Sequence, residues 1–136
     1  MAKRKHTVFV SHGWADKWVA EQIALRLQRD CGCRTFIDVF DIEKGDDIAG
    51  RIREELPHCH ELVVLFTPWS VNRKWLWVEL GAAWFGGLRI AAVLYGLTLE
   101  DIDREYGGKT FLGAKNLVDI NDLETYLSEV KRRATR

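Results

Sequence analysis

The chain has no excess charge of either sign: its 136 residues include 20 Lys and Arg against 20 Asp and Glu. Proteins that hold nucleic acid carry a strongly basic surface, so nucleic acid is not an expected partner. The basic clusters at the two ends, Lys3, Arg4 and Lys5, then Lys131, Arg132, Arg133 and Arg136, read as solvated tails. Also missing is an apolar run fit to cross a bilayer. The stretch 75–97 approaches that length. It contains Glu79, Arg89, Gly81, Gly86, Gly87 and Gly96, which a helix in lipid tolerates poorly. It reads as a buried helix followed by a buried strand, and no membrane partner is expected. Residues 1–6 carry no export signal, which points to the cytoplasm.

Cysteine is scarce. There are three, an odd number, and no C-x-x-C pair, so a disulfide framework is not expected. Cys31-x-Cys33 and His58-Cys59-His60 match no common zinc spacing, and no metal is expected. Neither G-x-G-x-x-G nor a P-loop occurs. There is no internal repeat, low-complexity tract or linker. Residues 1–136 suit one domain, and a hydrophobic share of 47% is enough for a core.

What is present is a regular alternation. Thr7–Val10, Thr35–Ile37, Leu62–Phe66 and Ile90–Tyr95 are nearly continuous apolar runs, as in strands buried on both faces of a parallel sheet. Asn116–Ile120 is a weaker fifth run, suited to an edge. Between them lie helical patterns over Ala15–Arg29, stopped by Gly32, and over Asp46–Leu56, stopped by Pro57. Ser70 or Asn72 caps a third helix running to about Phe85, after Pro68 ends the strand before it. A short segment, Thr98–Tyr106, and a final helix, Asp122–Arg133, complete the series. The expected fold is a flavodoxin-like three-layer α/β sandwich: a five-stranded parallel sheet in the order 2-1-3-4-5, with helices on both faces. Ligands in such sheets bind outside the carboxyl ends of the strands, here Ser11–Asp16, Asp38–Asp47, Thr67–Trp75 and Gly96–Thr98.

Those segments carry a family pattern. Val8-Phe9-Val10-Ser11-His12 with Asp16-Lys17, then Phe36-Ile37-Asp38 with Asp41-Ile42 and Gly45-Asp46-Asp47-Ile48, occur in order. Leu65-Phe66-Thr67-Pro68 follows, with Trp75 and Glu79-Leu80 downstream. Together, over about 7–96, they resemble the Toll/interleukin-1 receptor (TIR) domain family in its bacterial-type, NAD-cleaving branch. Lys44 stands where many relatives have proline and Thr67 where serine is usual. Neither change removes a proposed catalytic group.

The resemblance implies two kinds of function, an enzyme that splits NAD at its nicotinamide ribosyl bond or a scaffold that only assembles. In the enzymes a glutamate lies four residues after a tryptophan on the third helix, and Trp75-x-x-x-Glu79 matches. That spacing puts both on one helical face. Glu79 is the implied catalytic residue, and its apolar neighbours keep it from free solvation. NAD+ is the implied substrate, with no cofactor, giving nicotinamide and ADP-ribose or a cyclic ADP-ribose isomer. Ser11, His12 and Gly13 are placed to contact the nicotinamide end or the phosphates. Trp75, Trp14 and Phe40 offer aromatic faces to a cationic ring or to adenine. Asp38 binds ligand or the backbone of its own loop. Trp14, Trp18, Trp69, Trp77 and Trp84 each read more readily as core or interface than as ligand contacts. The 38–47 loop, with Ile42 and Gly45, is the expected contact in a homo-oligomer, and a separately encoded sensor or effector is the expected further partner. The resemblance implies a role in bacterial immunity.

Other classes fit worse. A phosphoacceptor receiver domain needs acidic residues after the first strand and an aspartate ending the third, where this chain has Ser11-His12-Gly13 and Phe66-Thr67. A flavodoxin needs a hydroxyl- and glycine-rich loop in place of Ser11-His12-Gly13-Trp14.

Overall fold

A computed structural model describes residues 5–37, 54–105 and 117–135. Five strands, β1 (Thr7–Ser11), β2 (Arg34–Ile37), β3 (Glu61–Phe66), β4 (Arg89–Leu94) and β5 (Leu117–Asp119), form one sheet in the order β2-β1-β3-β4-β5. Every pairing is parallel. Four helices accompany them among the described residues: α1 (Lys17–Cys31), α2 (Lys74–Phe85), α3 (Leu99–Glu105) and α4 (Leu123–Ala134). The expected order and direction of the strands are those found. The expected helix over 46–56 lies mostly outside the described residues. Its last turn runs through Glu54 and Glu55 into a 3-10 turn at Leu56–His58, with Pro57 inside it.

The pleat sends alternate residues to opposite faces, which explains why the central strands read as unbroken apolar runs. Val8, Val10, Val63, Leu65, Ala91 and Val93 pack with Ile23 and Leu27 of α1 and Leu127 and Val130 of α4. On the other face Phe9, Leu62, Val64, Phe66, Ala92 and Leu94 meet Leu76, Leu80 and Ala83 of α2 and Ile102 of α3. Helix α1 stops at Gly32, whose left-handed φ of 69° favours glycine. Thr98 and Asp101 cap α3 reciprocally, Thr98 N–H to Asp101 Oδ2 at 2.9 Å and Asp101 N–H to Thr98 Oγ1 at 3.2 Å.

The structure corrects two expectations. Neither Ser70 nor Asn72 caps α2. The N-cap is Arg73, extended and without a side-chain cap bond. Ser70 is instead buried, its Oγ donating to Leu65 O (3.1 Å) and accepting from Thr67 N–H (2.9 Å). A hydroxyl that closes the turn beyond Pro68 is already committed before the helix starts. The second correction concerns 75–97, expected as a buried helix and strand. Strand β4 is buried beyond Arg89. Helix α2 buries Leu76, Glu79, Leu80 and Ala83 but leaves Val78, Ala82, Trp84 and Phe85 exposed, Phe85 at 89%. Trp14, Trp18 and Trp69 are likewise exposed, so of the two readings, core or interface, the core one falls for them. Trp77 is half-buried, lies tilted against the Phe66 ring and donates from Nε1 to Val71 O at 2.6 Å.

At the amino-terminal end of the strands, Glu61 is buried within a clasp. It accepts from His6 Nε2 (2.7 Å), Tyr126 OH (3.1 Å), Arg133 Nε (2.9 Å) and Arg133 Nη2 (2.7 Å). Burial alone pushes its carboxyl up, but the bonds from Arg133 and His6 outweigh that and hold it below its ordinary value. Tyr126 is driven well above its ordinary value by burial and by the carboxylate beside it. The clasp fixes α4 to the start of β3.

Candidate active site

The other end of the sheet holds nearly all the remaining buried polarity. Among the described residues seven buried side chains are polar or charged: Ser11, His12, Asp16, Glu61, Thr67, Ser70 and Glu79. Only Glu61 lies at the amino-terminal end. Burying a polar group costs free energy unless it is bonded, so six gathered at one edge single that edge out as the candidate site.

Strand β1 delivers Ser11 opposite Val64 of β3. Helix α2 crosses above and turns Glu79 inward. Ser11 Oγ donates to Glu79 Oε1 at 3.2 Å, and both residues are 0% exposed. His12 follows, its Nδ1 2.8 Å from Gly13 O. A carbonyl only accepts, so Nδ1 carries the proton. Beneath them, Thr67 Oγ1 donates to Asp16 Oδ2 at 2.7 Å and accepts from Trp69 N–H at 3.2 Å. Asp16 N–H donates to Gly13 O at 3.1 Å. The loop after β1 is thus tied to the loop after β3. The two also touch directly: a Cβ on Gly13 would meet Ser70 Cβ at 3.0 Å.

Of the residues expected at the site, Ser11, His12, Gly13 and Glu79 are gathered here. Trp14 begins the 3-10 turn Trp14–Asp16 and is 63% exposed at the rim. Trp75 lies in the first turn of α2, one turn before Glu79. Asp38, Phe40, Ile42 and Gly45 lie outside the described residues. The ties among Asp16, Thr67 and Ser70 were not expected. Asp16 and Thr67 belong to the family pattern, but no spacing in the sequence predicts that they bond to each other. A cavity of about 320 Å³, lined by Thr7, Arg34, Phe36 and His58 among others, opens at the amino-terminal ends of β1 and β2. It contains none of these groups.

A buried carboxylate held by a hydroxyl suits the stabilisation of positive charge on a bound substrate, because solvent does not screen it there. A sequence profile described as TIR domain matches residues 8–132. This chain belongs to the TIR domain family. No curated protein matches it in sequence. Among solved structures, the TIR domains of the activated Roq1 resistosome directly recognizing the pathogen effector XopQ are similar, at TM-score 0.61 and 17% identity. That match covers 93% of this TIR domain and 84% of the other chain. A diflavin flavoprotein A3 from Nostoc sp. is similar at TM-score 0.53 and 13% identity, over 98% of this chain and 91% of that one. At such identities the likenesses show a shared fold. Among the described residues no helix of this TIR domain is long and apolar enough to cross a membrane.

Proposed function

We propose that this TIR domain is an NAD+ nucleosidase, cleaving the nicotinamide–ribosyl bond with Glu79 as its catalytic carboxylate. The observation that carries this is the Ser11–Glu79 bond at the carboxyl edge of β1 and β3, where ligands of such sheets bind. Nicotinamide carries its positive charge in the bound substrate and departs neutral, so its departure needs no general acid, unlike an alkoxide in ordinary glycoside hydrolysis. One carboxylate suffices, stabilising charge as it builds on the ribosyl carbon. Ser11 orients it, and His12 and Gly13 line the approach. NAD+ is the substrate, and no further cofactor takes part. As nicotinamide leaves, water adds to the ribosyl carbon to give ADP-ribose, or an atom of the same nucleotide closes on it, with loss of a proton, to give a cyclic ADP-ribose isomer.

Glu79 has no solvent-accessible surface, so NAD+ reaches it only after a covering group is displaced. Assembly with other copies, or a separately encoded partner, supplies that displacement, in keeping with immune signalling in the cytoplasm. The likeness to TIR domains of a resistosome supports this setting. The same burial favours a second reading, in which Glu79 only supports the fold and the protein is a scaffold that signals by self-association. Incubating purified protein with NAD+, dilute and concentrated, and measuring free nicotinamide decides between them. Turnover supports the enzyme. None at any concentration leaves the scaffold.

A further inference from the structure

The cavity at the amino-terminal ends of β1 and β2 lies at the opposite end of the sheet from Glu79 and has no part in the proposed NAD+ chemistry. At about 320 Å³ it has the size of a site for one small molecule. Two neighbouring strands and the turn before β3 build it. Arg34 of β2 is the register partner of Thr7 of β1, and its N–H donates to His6 O at 2.9 Å. Lys5 is tied to the same place, its carbonyl accepting from Thr7 Oγ1 at 3.0 Å. The two cationic stems are thus rooted on adjacent strands, about 4.8 Å apart, so both heads can reach one anion. Residues two apart on a strand share a face, which puts Phe36 beside Arg34. The half-buried Phe36 ring is backed by Phe9, with ring centroids 5.0 Å apart, and stands as a fixed apolar wall. Leu56, in the core, anchors the 3-10 turn that brings Glu55 and His58 to the cavity.

We propose that this cavity binds a nucleoside monophosphate, with the phosphate between Lys5 and Arg34 and the base against Phe36. Charge selects the head group. A phosphomonoester bears about −1.5 to −2 at neutral pH and matches two cations, whereas a carboxylate matches one. Arg34 offers a planar fork that bonds phosphate at two points, and Lys5 adds a point charge. Among the described residues no carboxylate lies within ion-pair distance of either cation. Phe36 selects the ring, because an aromatic face held in place stacks any base. Glu55 limits the phosphates to one. A carboxylate in the same small cavity repels the added charge of a di- or triphosphate.

Calorimetric titration of the full chain with uridine and guanosine monophosphates, the two nucleosides and inorganic phosphate tests the site. Neither monophosphate is part of NAD+, so this result and that of the nicotinamide assay stand or fall separately. At least one monophosphate should bind, its nucleoside and phosphate alone each roughly tenfold more weakly or worse, the effect of losing one charged or stacking contact. Lys5→Gln and Arg34→Gln should each weaken the monophosphate by a similar factor. Their melting temperatures should be unchanged, since both residues are exposed. Arg132→Gln, which removes a cation exposed on α4, should bind as the wild type does. No binding of either monophosphate up to millimolar concentration overturns the proposal. So does a nucleoside or phosphate that binds as tightly as the monophosphate, or a loss in Arg132→Gln equal to that in Arg34→Gln.

Discussion

Thr67 Oγ1 donates to Asp16 Oδ2 across 2.7 Å, joining two loops that are 51 residues apart in the chain. Asp16 is 5% and Thr67 2% exposed, so neither has water to replace the other. Thr67→Val keeps the shape and removes the donor. Leaving a buried acceptor without its bond costs about 1–3 kcal/mol. Urea denaturation should show that loss for Thr67→Val and much less for Thr67→Ser, which keeps the hydroxyl.

Gly13 tests the same junction by steric means. Gly13→Ala would bring Cβ to 3.0 Å from Ser70 Cβ, tighter than most carbon contacts, so Ser70 must give by a few tenths of an ångström. The loops must separate, at a cost of about 1–3 kcal/mol. Thermal unfolding checks the loss of stability. Nicotinamide release should fall more steeply than stability does, because the displaced loop carries His12 and adjoins Ser11.

For the catalytic assignment, Glu79→Gln keeps an acceptor for Ser11 and removes the charge. Turnover should fall on the order of a hundred- to a thousandfold. The melting temperature should hold or rise, since a fully buried charge is costly to the fold and its removal relieves that cost. A folded Glu79→Gln protein that releases nicotinamide at the wild-type rate would refute the assignment.

The Glu61 clasp gives a pH dependence with a definite sign. Its carboxyl titrates below the ordinary 4.5 in the folded protein. The clasp therefore contributes its full stability above that value and loses it as pH falls through the lower folded value. Glu61→Gln should flatten this acid limb in denaturation measured from neutral pH downward. Arg133→Met, which leaves the carboxylate without its two-point partner, should cost about 3–5 kcal/mol at neutral pH.

The sequence by itself determined the sheet and the order of its strands. Val63, Val64 and Leu65 form an unbroken apolar run because both faces of β3 are covered, a local signal that needs no knowledge of partners. Gly32 ends α1 through a backbone angle that glycine alone adopts without strain. Trp75 and Glu79 are four apart on one helix, so their relation was legible from spacing. Only the tertiary structure decided which polar groups are buried and by what they are held. Glu61 is met by His6, Tyr126 and Arg133, and Arg133 lies 72 residues away in the chain. Hydrogen bonds over such separations leave no periodicity to read. The same holds for α2, whose composition says that it is apolar but cannot say which side the sheet covers. Packing against Phe66 and Leu94 settles that, and leaves Val78 and Phe85 facing outward.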